Sequence, residues 1–344
     1  MQEIELKFQI PADALAAVRA EVAALPGGTA PAQVLQAAYF DTPDRRLARA
    51  RAALRVRRED DERVQTLKAA GVHAMTRLED NRPVPAPSDH APPWPDLALH
   101  EGEARAALMR DLDWTPGSDP HGAHTGLQAL YRTDIRRQRA RSEVRTDHGT
   151  VLGTLEWALD EGWIEAGDLR RPVCELEIEL ITGAPQAVLH AARPWVQRHG
   201  LWLDGQTKAH RGDQLAREAQ QGGPSPAPPV RRRSPRPEGG SPLSSDARRQ
   251  AALNAALEQI NLNLSEVAQG DPHEDLRPWL RAAAVGLRRI RWMGLPAATT
   301  VEVTRLLTAL RHPASTAEAV ALARAPRTSL LQLDLLDILL GQSA

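Results

Sequence analysis

Apolar and charged residues alternate strictly at the start of the chain. Ile4, Leu6 and Phe8 interleave with Glu3, Glu5 and Lys7. Side chains two apart share one face of a β-strand, so one face is apolar and the other carries two carboxylates and an ammonium. The pattern returns far downstream in Glu175-Leu176-Glu177-Ile178-Glu179-Leu180. Between these stretches the spacing predicts a helix over 11–25, a strand over 34–41, a hairpin from 53–58 and 63–68, and a strand over 75–84. A proline-rich excursion, 85–120, contains one short helical stretch at 102–111. Strands follow at 127–145, 150–160 and 173–181. A helix over 185–199 ends at Gly200, and a last short helix follows 207–212.

Many alternating strands with helices at their margins predict an α+β chain built on an antiparallel barrel or a strongly curved sheet. On several strands the outward residues, such as Trp157, are apolar and need helices over them, which leaves a polar lumen. The register around Lys68 and Arg137 is open by one residue, and a slip would turn those side chains outward. Composition changes near residue 219. Residues 216–245, rich in Gly, Pro, Ser and Arg, read as a linker without structure. Residues 246–344 read as a helical bundle, with helical apolar spacing at 280–292, 301–310 and 330–340.

With 344 residues and a net charge of −1, the chain offers no global field for nucleic acid or a membrane, and neither is expected as a partner. A single cysteine, Cys174, fits a reducing compartment and a buried thiol. No apolar run reaches the roughly 20 residues of a membrane span. The charged opening strand leaves no room for a signal peptide, and a cytoplasmic location is the expectation.

The local charge is informative. Carboxylates about 5 Å apart in one lumen repel by roughly 3 kcal/mol at an effective dielectric near 20. A cation must therefore compensate them, and oxygen donors without His or Cys favour Mg²⁺ or Mn²⁺. The basic set Lys7, Arg55, Arg57, Lys68, Arg137 and Lys208 suits an anion of several charges, such as the oxygens of a polyphosphate. The alternative is that these faces only salt-bridge one another. No Walker loop, dinucleotide fingerprint or nucleophile elbow is present.

Glu3-Ile4-Glu5-Leu6-Lys7 resembles the ExExK signature of the CYTH family, the triphosphate tunnel metalloenzymes. The resemblance continues through Tyr39-Phe40-Asp41-Thr42, Leu54-Arg55-Val56-Arg57, Thr66-Leu67-Lys68, Ala158-Leu159-Asp160, 175–180, and Lys208 with Arg211-Gly212, covering residues 1–215. It implies an eight-stranded antiparallel β-barrel tunnel with flanking helices. Metal would be held by Glu3, Glu5, Asp160, Glu175, Glu177 and Glu179, with Glu156 near them. Phosphates would meet Lys7, Arg55, Arg57, Lys68, Arg77, Arg137, Arg139 and Lys208. Catalytic roles would fall to Glu5, Lys7 and Arg57, with one Mg²⁺ or Mn²⁺ bridging substrate oxygens and a second activating water.

Activities in that family include inorganic triphosphatase, thiamine triphosphatase and class IV adenylyl cyclase. The stretch 133–137 and the two-part layout resemble inorganic triphosphatases that carry a C-terminal CHAD domain. With 2 Phe, 2 Tyr and 8 Trp, no aromatic cluster is evident for stacking a base. The expectation is therefore hydrolysis of inorganic triphosphate to pyrophosphate and phosphate. The alternatives are a thiamine or nucleoside triphosphatase, an adenylyl cyclase, or a non-catalytic polyphosphate-binding protein. Gly286-Leu287-Arg288-Arg289-Ile290-Arg291 resembles the arginine-rich helix of CHAD domains, but Arg281 and Ala284 stand where that family has a histidine and a further arginine. Arg281, Arg288 and Arg291 share one helical face, and the part is a truncated, CHAD-like bundle. The oligomeric state is open between monomer and homodimer.

Overall fold

The computed structural model describes residues 2–59, 62–70, 75–84, 94–146, 148–233, 244–270 and 275–341; of Gln2, Ala70 and Arg77 only the backbone is described. Nine strands run in the order β1 (Gln2–Gln9), β2 (Gln33–Asp41), β3 (Ala53–Glu59), β4 (Glu62–Ala70), β5 (Thr76–Pro83), β6 (Gln128–Arg145), β7 (Val151–Ala166), β8 (Leu169–Gly183) and β9 (Trp202–Leu203). Their spatial order is β5-β4-β3-β2-β6-β7-β8-β1-β9, every ladder among them is antiparallel, and β1 also pairs with β5. That extra ladder, Gln2↔Leu78, Glu3↔Arg77 and Ile4↔Thr76, closes eight strands into a barrel. The two-residue β9 adds to the C-terminal end of β1 and lies outside the ring. Closure leaves the ring itself without free edges.

The strands sort their side chains as the alternation requires. Leu6, Phe8, Leu155, Trp157, Leu159, Leu176 and Ile178 point out of the barrel and are buried. They pack under α1 (Leu15–Ala24) and the helix Gln186–His199, where Trp157 stacks on Trp195 with centroids 4.7 Å apart. On the opposite flank Phe40, Leu54, Val56 and Leu67 pack against the four-residue α2 (Arg46–Arg49) and α3 (Gly102–Leu112). We number Gln186–His199 α4; it stops at Gly200, whose φ of 64° ends it in the left-handed region. β7 runs past Asp160, where the alternation seemed to end, to Ala166. Gly162 permits this, because a Cβ there would lie 2.0 Å from the Asp134 carbonyl oxygen on β6.

One end of the interior is apolar and filled by α5 (Lys208–Gln221). Leu35, Ala37, Tyr39, Tyr131, Ile135, Ile164 and Val173 surround Leu215 and Ala216 of this helix. Thr207 caps it by accepting from the His210 N–H at 3.0 Å. Tyr131 lies against Gly212, stacks on Tyr39 and donates its hydroxyl to the Ala209 carbonyl at 3.0 Å.

The remaining helices are α6 (Ser245–Gln269), α7 (Arg277–Arg291), α8 (Ala297–Ala309), α9 (Thr316–Arg324) and α10 (Pro326–Gly341). They do not form a separate core. One hydrophobic cluster runs from the outer faces of β1, β7 and β8 through α4 into α6, α7 and α10. Within the 216–245 stretch expected to lack structure, α5 continues to Gln221. Further on, Val230 N–H donates to Asn263 Oδ1, Arg232 N–H to Gln259 Oε1, and Trp279 Nε1 to the Ala227 carbonyl. Residues 234–243 of that stretch lie outside the described set. Arg281, Arg288 and Arg291 are exposed on α7. No described helix is long and apolar enough to cross a membrane.

Gly212→Ala tests the packing of α5. Alanine should favour a helix by up to about 1 kcal/mol. Its Cβ, however, would sit 2.2 Å from ring atoms of a Tyr131 that is fixed at both face and hydroxyl. Overpacking should win, lowering stability by about 1–3 kcal/mol in chemical denaturation. Unchanged or higher stability would contradict this packing.

Candidate active site in the barrel lumen

The charged faces meet inside the barrel, around a cavity of about 940 Å³. Strand register arranges its walls in rungs. Across β6, β7, β8 and β1 the rungs are Arg141–Glu156–Glu179–Glu5, then Arg139–Ala158–Glu177–Lys7, then Arg137–Asp160–Glu175–Gln9. Across β2, β3, β4 and β5 they are Tyr39–Arg55–Thr66–Asn81, flanked by Ala53–Lys68–Glu79 and by Ala37–Arg57. One half of the wall is therefore dominated by carboxylates and the other by guanidinium and ammonium groups. Lys68 and Arg137, whose register the sequence left open, both line the cavity.

The innermost carboxylates are already neutralised. Asp160 is fully buried and accepts from Arg137 Nε and Nη2, both at 2.6 Å. Lys208, delivered by the first turn of α5, lies 2.6 Å from Asp160 and 2.9 Å from Glu177, and also binds Glu175. Burial opposes the charge on Lys208 and Arg137, but these carboxylates outweigh it and hold both pKa values far above normal. Burial likewise works against Glu177, yet Lys208 and Arg137 push it well below the usual carboxylate range. Asp160, Glu175 and Glu177 bring oxygens within 4.8 Å of one another, the spacing of a metal site, but cations occupy the space between them. Glu175 is not among the residues that line the cavity. It is fully buried and bonded to Lys208, Gln9 and Arg211.

The outer carboxylates are compensated less. Lys68 binds Glu3 at 2.9 Å and Glu79 at 2.7 Å. Glu3 and Glu79 share that ammonium and a side-chain hydrogen bond. Burial, only partly offset by Lys68 and reinforced by Glu5 and Glu79, raises Glu3 to about 8; Glu79 is lowered, because Lys68 and the bond to Glu3 outweigh its own burial. Glu179 makes no ion pair among the described residues, and burial together with the Glu5 charge raises it to about 7. Glu156 is met from the side by Arg139 at 3.5 Å and Arg141 at 3.1 Å.

The basic wall has the converse deficit. Burial and the neighbouring Arg55 pull Arg57 down to about 10, although Glu59 binds it. Arg55 donates to the Tyr39 hydroxyl at 3.3 Å, and its Nε has no hydrogen bond among the described residues. Lys7 is 6% exposed, lies 3.9 Å from Glu175 and 3.8 Å from Asp204, and its Nζ has no hydrogen-bond partner among the described residues. Donors of this kind can serve oxygens of a ligand.

Of the residues singled out in the sequence, Glu3, Glu5, Lys7, Arg55, Arg57, Lys68, Arg137, Arg139, Asp160, Glu177, Glu179 and Lys208 all line this one cavity. Glu175 does not, and of Arg77 only the pairing with Glu3 is described. Sequence reasoning passed over Glu79, Asn81, Asp204 and the phenol of Tyr39. Glu79 and Asn81 could have been found from the strand alternation, two and four residues beyond Arg77, whereas Asp204 lies in a loop with no periodic signal. Tyr39 is fully enclosed; burial opposes its ionisation, but Arg55, Lys208 and Arg57 together lower its pKa. Cys174, expected to be buried, is only partly so; it lies outside the lumen, and burial raises its thiol to about 11.

The family model for the CYTH domain matches residues 1–212. An inorganic triphosphatase of Haemophilus influenzae is 29% identical over 178 residues, which make up 51% of this chain and 44% of that protein. The chain thus spans less than half of that relative's length. Among solved structures, a candidate adenylyl cyclase from Hippeastrum, described as having a dominant triphosphatase activity, is 18% identical with a TM-score of 0.37, covering 65% of this chain and 98% of its own. A candidate adenylate cyclase from Bacillus halodurans is 14% identical with a TM-score of 0.33, covering 57% and 88% respectively.

The raised carboxylates give a pH dependence with a definite sign. Glu3 and Glu179 bind protons more tightly folded than unfolded, so their contribution to stability is complete below about 4.5 and is lost as pH rises through about 7 to 8. Melting temperatures of metal-free protein should fall across that window, and millimolar Mg²⁺ or Mn²⁺ should reverse the fall. A profile in which added metal has no effect above neutral pH would contradict the assignment of these carboxylates to a cation site.

Proposed function

The chain belongs to the CYTH domain family, and from that premise we propose that it is a metal-dependent triphosphatase hydrolysing inorganic triphosphate to pyrophosphate and phosphate. The observation that carries the proposal is the double deficit of the lumen. Burial and neighbouring carboxylates raise Glu3 and Glu179 by more than the nearby cations offset, while burial beside Arg55 lowers Arg57 despite its bond to Glu59. A divalent ion with a polyphosphate supplies both at once, and a pure anion receptor would gain nothing from the carboxylates.

The donor set fits a hard ion. Glu5, Glu179 and Glu156 stand side by side on adjacent strands with Glu3 near them, and all are oxygen donors. Mg²⁺ or Mn²⁺ held there supplies charge neutralisation at phosphate oxygens and a more acidic water. The other steps belong to the chain. Arg55 and Arg57 orient the phosphates through guanidinium N–H groups, with Arg137 held beside them by Asp160 and Glu177. Lys7, with ammonium donors unspent, binds an oxygen whose charge grows as the phosphoanhydride bond breaks. Asp160 and Glu177 fix Arg137 and Lys208 rather than reaching the substrate. Substrate choice rests on the inorganic triphosphatase relative and on the facing carboxylate and guanidinium rungs of the barrel lumen.

Phosphate release should be measured from tripolyphosphate, thiamine triphosphate and ATP with each metal. We expect tripolyphosphate to be preferred and turnover to vanish with chelator. Faster release from ATP would overturn the substrate, and no release from any would overturn the enzyme. Glu5→Gln should lower kcat by about 100-fold or more with the fold intact, as removing a ligand of a catalytic metal does. Undiminished activity would take Glu5 out of the metal site.

A further inference from the structure

The loop that carries Lys208 into the lumen is held from outside by the C-terminal helices. Leu203 N–H donates to Ser329 Oγ of α10 at 2.9 Å, and Gly205 N–H to Ser265 Oγ of α6 at 2.8 Å. Glu266 of α6 is 2% exposed and takes the side-chain amides of Gln206 and, at 3.0 Å, Gln214, one on each side of Lys208. Gln269 binds the remaining oxygen of Gln206. From the lumen side the same loop is tied to β1. Asp204 N–H donates to the Lys7 carbonyl at 2.9 Å, and the Asp204 carboxylate accepts from Gln9 at 2.7 Å and lies 3.8 Å from Lys7 Nζ.

A helix bundle that merely adhered to the barrel would use apolar contacts, which it has in plenty elsewhere. A buried carboxylate and two buried hydroxyls at this junction cost desolvation that only specific placement repays. Loss of Lys208 from its position would leave Asp160, Glu175 and Glu177 without one of their cations. We propose that Glu266, with Ser265 and Ser329, positions Lys208 and Asp204, making the C-terminal bundle a working part of the tunnel site. The proposal rests on the reading of the tunnel as a metal–triphosphate site.

The test uses the full chain and reads Mn²⁺ affinity by calorimetry beside tripolyphosphate turnover, with circular dichroism as the control for folding. Glu266→Ala should weaken Mn²⁺ binding and lower kcat/KM by about 10- to 100-fold, the usual effect of removing an outer-shell partner. Glu302→Ala on α8, whose carboxylate binds Arg305 and Arg327, should change neither. The exchange Glu266→Gln with Gln206→Glu keeps a hydrogen bond at each of these contacts, since the carboxylate at 206 can accept from Gln269 and from the amide at 266, whose oxygen can accept from Gln214. It should recover most of what Glu266→Gln alone loses. A folded Glu266→Ala protein with normal Mn²⁺ affinity and turnover overturns the proposal. Should that variant not fold, the Ser265→Ala/Ser329→Ala double variant decides in the same way. If the wild type binds Mn²⁺ yet never cleaves tripolyphosphate, the activity reading fails, and the affinity comparison still decides the role of Glu266.

Discussion

Carboxylates enclosed by a β-barrel must be interleaved with cations, and the contact on which this lumen depends is the insertion of Lys208 and Arg137 among Asp160, Glu175 and Glu177. Removing one member of such a buried set typically costs about 3–5 kcal/mol, because the others are left uncompensated. The remainder of the molecule is arranged to keep it in place. Thr207 starts α5 so that Lys208 falls in its first turn, Gly212 lets that helix lie against Tyr131, and Arg211 holds Glu175 from behind. With the inner floor neutralised, the outer carboxylates and the guanidinium wall are left less compensated than the groups below them.

The lumen thus has two kinds of acid that look alike in sequence. Glu175, Glu177 and Glu179 follow each other at spacings of two and share a strand face. Yet Glu177 is depressed by its cations, Glu179 is raised by want of them, and Glu175 is consumed by structural bonds. The distinction arises from neighbours on other elements. This is why the alternation read in the chain identified the strand and its inward face but could not divide the carboxylates between cation holding and scaffold.

Strand alternation made the barrel strands and their polar faces legible, and resemblance to known motifs supplied the closure and the ligand class. What the sequence did not carry were positions set by tertiary contact alone. Asp204 lies in an aperiodic loop, and Arg45 finds Asp213 at 3.2 Å only when α5 is seated. Residues 227–232 have the composition of a loose linker, yet their backbone is fixed by Asn263, Gln259 and Trp279. Buried amides on a distant helix gave no local signal that this stretch would be pinned.

The ladder between β1 and β8 unites residues 5–9 with residues 175–179, and the β1–β5 seam that closes the barrel consists of three residue pairs. Long-range pairings of this kind form late, because loop closure must be paid before contacts return anything. Glu156 and Glu179 already pair within the β7–β8 hairpin, but Glu5 joins their rung only when β1 reaches β8. Glu3 meets Lys68 only when the same strand also reaches β5 at the seam. On the proposed reading, a divalent ion that uses Glu3 and Glu5 together with Glu179 and Glu156 would report the docking of β1, distinguishing a finished ring from a compact chain that has its helices and hairpins but has not yet seated its first strand.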